Sequence, residues 1–195
     1  MHDFRKRVPQ RRKNPRNASN YKSYKVRLRE DFNERCGYCD DHDKKDGGMR
    51  SFHIDHFAPK KHLKEISEND YNNLTYACFY CNNAKGADWP TNDEKISNDG
   101  KRGYIDACDP EYDRQFHRDD GGKIVPNTDL GQYIYQHLNL YLERHSIIWM
   151  LERLQEQIDE LSQLNEIEEK FDTKEALFDL LKMHYKFSKL LEDER

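Results

Sequence analysis

The sequence predicts an α+β protein: a small core that mixes strand and helix and is stapled by cysteines, an N-terminal helix, and a C-terminal antiparallel helical hairpin. Three observations predict it. Two Cys-x2-Cys pairs, Cys36/Cys39 and Cys78/Cys81, stand 38 residues apart and bracket a functional-looking loop. Within that loop Phe52 and Ile54 alternate with His53 and Asp55, the period-2 pattern of a strand. Near the other end, Ile147, Leu151, Leu154, Ile158 and Leu161 recur at steps of four and three, the apolar seam of a long helix.

Composition bounds the rest. The 195 residues suit one small domain with a helical extension. Charged residues make up 36%, yet aromatics at 12% suffice for a core, so the chain is not read as disordered. No run of 18 apolar residues predicts a membrane span. The basic N-terminus lacks the apolar stretch of a secretory signal, which predicts a cytoplasmic protein with no membrane partner. The net charge of −4 hides a gradient: residues 1–30 carry 11 Lys/Arg against 2 Asp/Glu, and every later segment is acidic. A basic arm on an acidic protein is a nucleic-acid footprint or a solvated tail, and composition alone does not choose.

In chain order, residues 1–20 form a basic arm that includes Arg5, Arg11 and Arg12, ordered only on a partner or against the core. Residues 21–90 form the core. Ser19 or Asn20 caps a helix on which Tyr24, Leu28 and Phe32 share one face. Gly37 gives the first knuckle a tight turn. Ser51–Phe57 is a strand that Pro59 ends. A lysine-rich loop follows, with a helical turn near His62–Ile66, and then the short apolar run Leu74–Cys78. A helix starts at Asn82, breaks at Gly86 and stops before Pro90. Residues 91–130 are an irregular connection with one small hairpin, Phe116–Arg118 turning through Asp120-Gly121-Gly122 into Lys123–Val125. Residues 131–195 are the helical hairpin. Asp172–Glu175 is a capping box at the start of its second helix, whose seam is Leu177, Leu181, His184 and Leu191.

Two residues between paired cysteines let each pair bite one ion, and four thiolates complete a tetrahedral zinc shell. A redox pair would follow a strand in a βαβ unit, and no such unit is visible. A shell closed by Cys36, Cys39, Cys78 and Cys81 has no open position, so this Zn(II) is structural. Cys108 is left over and takes no role.

Asp55-His56 lies between the knuckles, and Asn82 directly follows the last zinc cysteine. Phosphodiester hydrolysis needs an activated water, relief of charge on phosphate, and positioning. A neutral histidine takes a proton from water near pH 7. A divalent ion held by few protein ligands neutralises phosphate oxygens and keeps open positions. Asp55 and His56 leave a strand on opposite faces, so both address one substrate only if the strand bends or ends there. His53, on the Asp55 face, is an orienting residue or simply exposed. Lys60, Lys61 and Lys64 contact backbone phosphates or belong to a solvated loop.

Cys-x2-Cys, Ile54-Asp-His-Phe-x-Pro59, Asn72-Asn-Leu74 and Cys-x2-Cys-Asn-x2-Lys85, in that order, resemble the zinc-stapled HNH endonucleases. That family implies a ββα-metal (His-Me finger) core. It implies His56 as general base, with Asp55 and Asn82 as ligands of a catalytic Mg(II) or Mn(II). Asn73 would orient the catalytic loop, and Lys85 would touch phosphate. The resemblance implies a DNA substrate and a 5′-phosphate product. Asp106-Ala-Cys-Asp-Pro110, Phe116, Gly122-x-Ile124-x-Pro126, His137-Leu-Asn-Leu140 and Arg144 are similar to HNH nucleases that accompany an ATPase in Septu-like and retron-type antiphage systems, which implies an ATPase partner. Two rival expectations stand beside the enzyme: a zinc-stabilised nucleic-acid-binding module without catalysis, and a subunit that works only in a larger complex. The oligomeric state stays open.

Overall fold

Asn20 starts the first ordered helical segment. Its side chain accepts from the Lys22 amide and opens a 3-10 turn at Tyr21–Tyr24, which runs into α1, Lys25–Asp31. Tyr24, Leu28 and Phe32 are buried, as the four-residue spacing predicts. Asn33 and Glu34 then take φ of 55° and 63°, and this left-handed pair ends the helix and turns the chain into Cys36. The computed structural model describes residues 1–16, 18–167 and 171–194. Its contacts divide into two units, Met1–Asp120 with Ile124–Tyr141, and Gly121–Lys123 with Leu142–Arg195.

The first unit holds two sheets. β1, His2–Asp3, pairs antiparallel with β4, Phe116–Arg118, which pairs antiparallel with β5, Ile124–Pro126. The small hairpin predicted around Phe116 is therefore the inner part of a three-stranded sheet. β2, Phe52–His56, and β3, Leu74–Cys78, form a separate antiparallel pair with Phe52 opposite Cys78 and His56 opposite Leu74. The predicted helical turn near His62 is a 3-10 segment at Lys60–His62.

β3 passes directly into α2, Phe79–Lys85. The helix begins three residues before the Asn82 start expected from the sequence, because the Cys78 sulfur accepts from the Cys81 amide and caps it. It stops at Gly86, whose φ is 52°. Two further helices complete the unit, α3 at Pro110–Arg114 and α4 at Asp129–His137.

Three arginines of the basic arm are tied to this core, the second of the two alternatives its sequence left open. Arg5, only 7% exposed, donates to the carbonyls of Gly37 and Ala107 and pairs with Asp113. Arg11 donates to the Leu74 carbonyl and pairs with Asp106. Arg12 pairs with Asp31 and Glu30 along α1. The buried guanidiniums of Arg5 and Arg11, turned toward these intramolecular carboxylates and carbonyls, are not presented to a phosphate, which corrects their reading as nucleic-acid contacts, whereas Arg12 keeps 35% exposure.

In the second unit α5, Glu143–Ile167, carries the predicted seam: Ile147, Leu151, Leu154 and Ile158 are buried. On α6, Phe171–Asp193, Leu191 packs with Ile147, Ile148 and Leu151, and Phe187 packs against them. The inward stripe runs through Leu180, Phe187 and Leu191, whereas Leu181, placed in the seam by the sequence, is 47% exposed. The Asp172 side chain of the expected capping box lies outside the described residues. Residues 131–141, expected in the helical hairpin, cluster with the first unit, and Thr128 caps α4 through the Gly131 amide. No described helix is long and apolar enough to cross a membrane.

Candidate active site

Cys36, Cys39, Cys78 and Cys81 are fully buried, and their sulfurs lie within 4.8 Å of one another. Cys39 Sγ and Cys78 Sγ are 3.7 Å apart, close to the edge of a tetrahedron of sulfurs about 2.3 Å from one ion, which is about 3.8 Å. Backbone amides of Tyr38 and Cys81 point at the sulfurs of Cys36 and Cys78, the pattern expected around thiolates. Burial pushes the thiols of Cys39, Cys78 and Cys81 up. Cys36 goes the other way: against the cost of burial, hydrogen bonds from the other three thiols hold it well below the usual range. A divalent ion would draw the protons off these thiols. The donor set and its spacing fit a metal. Cys108 lies apart, half-buried, and burial raises it to about 11, which leaves it a poor nucleophile.

Gly37 makes the first knuckle possible. A Cβ there would meet the Phe32 ring at 2.7 Å and the Thr75 methyl at 2.9 Å. The three successive carbonyls of this knuckle each receive a donor from outside it: Gly37 from Arg5, Tyr38 from the Tyr112 hydroxyl, and Cys39 from Arg118.

The last two residues of β2 are Asp55 and His56, each only 6% exposed. His56 Nε2 is 2.9 Å from the Glu68 carbonyl. A carbonyl can only accept, so Nε2 carries the proton and Nδ1 of the neutral ring keeps its lone pair. The Tyr21 ring meets the imidazole edge-on at 4.7 Å. Burial pulls the His56 pKa down, the Glu68 carbonyl opposes it, and Lys60 adds to the lowering. The neutral ring, the form able to accept a proton, is favoured.

Asp55 is held on one oxygen. Its Oδ2 accepts from the Tyr38 hydroxyl at 2.5 Å and from Lys85 Nζ at 2.9 Å, so Oδ1 is the oxygen a cation would meet. Lys85 also donates to the His56 carbonyl at 2.9 Å and sits over the Tyr104 ring. Its side chain is fully buried, which corrects the expectation that it touches phosphate: the ammonium is turned inward to β2. Lys85→Met is expected to destabilise the protein by about 3–5 kcal/mol, because it leaves a buried carboxylate without its counter-charge. Chemical denaturation of the two proteins measures this.

Asn73 Oδ1 accepts from the Ala58 amide at 2.8 Å while its Nδ2 donates to the Ala58 carbonyl at 3.0 Å. This two-way clamp fixes the chain just after the Asp-His pair. Asn82 is half-buried in the second turn of α2, between Phe79 and Lys85 on the helix surface. Lys60 and Lys61 are exposed, and Lys60 lies over the Tyr21 ring beside His56 and pairs with Glu68. His53 is exposed beside Phe79. Sequence reasoning missed Tyr38, Tyr21 and the Glu68 carbonyl. Tyr38 had a signal, its place inside the first knuckle; the other two reach His56 only through tertiary packing.

An antiparallel strand pair runs into a short helix through a cysteine knuckle, with an Asp-His pair where the first strand ends. This is a mixed strand-and-helix core whose four buried cysteines could hold a metal ion. Residues 36–88 match the HNH endonuclease family model. The match places an HNH endonuclease domain in that segment and supports a nuclease at the level of the family. Neither the curated proteins nor the solved structures contain a match to the chain.

Proposed function

We propose that the chain is a metal-dependent endonuclease that hydrolyses phosphodiester bonds of DNA, with β2, β3 and α2 as its ββα-metal core. The observation that carries this reading is the His56 ring. The Glu68 carbonyl holds its Nε2 proton, and Nδ1 is left to take the proton of an attacking water. Tyr38 and Lys85 fix Asp55, and the Asn73 clamp on Ala58 fixes the loop that follows. A Mg(II) or Mn(II) ion held by Asp55 and Asn82 would offset charge on the phosphate and the leaving oxygen. The four cysteines would hold a structural Zn(II) apart from this chemistry. In this reading the antiparallel pair of α5 and α6 is an assembly surface, and the antiphage role with an ATPase partner belongs to the same proposal.

Plasmid and single-stranded DNA incubated with the purified chain in Mg, Mn, Ni or EDTA test it. Cleavage that needs a divalent ion supports the proposal. A chain inert under every metal condition, alone and with an ATPase partner, would favour the nucleic-acid-binding module without catalysis.

A further inference from the structure

α2 lies along β2 with two contacts that fix its alignment. Lys85 reaches Asp55 and the His56 carbonyl at one end, and Phe79 meets the His53 ring at 5.9 Å at the other. Asn82 stands between them, one turn after Phe79, so about 4.5 Å of helix rise separates the two. The inner side of the helix is spent on Cys81 and Lys85, which are buried. Phe79 faces outward and is 49% exposed, beside the exposed His53. His53 and Phe79 thus form an exposed aromatic ring pair at the start of the helix that also carries Asn82.

What sets Phe79 apart from the other exposed apolar side chains is its place, paired with the His53 ring on the helix that carries Asn82. A strand bound with one phosphate at His56 and Asn82 carries its next nucleotide about one helical turn away, over Phe79. Every nucleobase has a π-face that stacks on an aromatic ring. We propose that Phe79, backed by His53, is a stacking shelf for an unpaired nucleobase next to the scissile phosphate. The shelf would favour substrates with a single-stranded, looped or frayed position at the cut. This deepens the endonuclease reading and rests on it.

The test uses the full chain carrying His56→Ala, so that the strand stays intact, and oligonucleotides with 2-aminopurine at successive positions. Stacking on Phe79 quenches the probe at one position. Phe79→Leu keeps the bulk and the helix but removes the π-face. It is expected to abolish that quenching and to weaken single-strand binding by about tenfold, whereas Phe79→Trp restores both. Equal binding and quenching by the Leu variant overturns the shelf. Cleavage by the otherwise unaltered chain, run in parallel, separates the two ideas. If it cuts and Phe79→Leu changes nothing, only the shelf falls. If it neither cuts nor binds any strand, the endonuclease reading falls and takes the shelf with it.

Discussion

On the proposed mechanism His56→Ala is expected to lower the rate of phosphodiester cleavage by about 10²–10⁴-fold, the range a positioned general base contributes. Folding and metal content persist, because the imidazole makes one hydrogen bond to the Glu68 carbonyl and one edge contact with Tyr21 and takes no part in the cysteine cluster. His56→Gln is the sharper comparison. It can still donate to that carbonyl, yet it offers no basic nitrogen to the water, so its rate falls nearly as far. Single-turnover cleavage of a labelled duplex, with thermal denaturation and metal analysis of each variant, measures all three quantities. A variant that retained most of the rate would remove His56 from the chemistry.

Cys78→Ala is expected to have the largest structural effect. The residue supplies one sulfur of the cluster, caps α2 through the Cys81 amide and ends β3 opposite Phe52. A structural zinc contributes on the order of 10 kcal/mol to the folding of a small domain, and three sulfurs hold it far less well than four. The variant should lose its metal and unfold across the matched segment, with far-UV circular dichroism and metal content falling together. Cys108→Ala, which touches none of this, should keep both. A Cys78→Ala protein with full metal and a wild-type melting curve would show that the four cysteines are not a metal shell.

The parts legible in the sequence are those encoded by local spacing. The paired cysteines, the alternation from Phe52 to Asp55, the face made by Tyr24, Leu28 and Phe32, and the seam from Ile147 to Ile158 all read directly, because one short period decides each. What escaped depends on partners far away in the chain. The arginines of the arm look like phosphate ligands until Asp31, Asp106 and Asp113 are seen beside them. Lys85 looks like a surface cation until its length is seen to fit the gap between Asp55 and the His56 carbonyl. Asn82 was placed at a helix start because a thiol is not an ordinary N-cap; with Cys78 in that role, the helix begins a turn earlier. Leu181 has the spacing of a seam residue, but Leu180 and Phe187 take the inward stripe in its place.

The three carbonyls of the first knuckle bear on where this protein can be cut. Their donors, Arg5, Tyr112 and Arg118, lie on both sides of residues 36–88. A fragment trimmed to the matched segment would hold every cysteine and the whole Asp-His-Asn set, and still lack the groups that satisfy Gly37, Tyr38 and Cys39. During synthesis the cysteines can gather a metal as soon as Cys81 has emerged, but the knuckle is not finished until Arg118 follows. Residues 5–118 are thus the smallest stretch that holds all three donors, and a shorter excised fragment should bind metal more weakly and melt earlier.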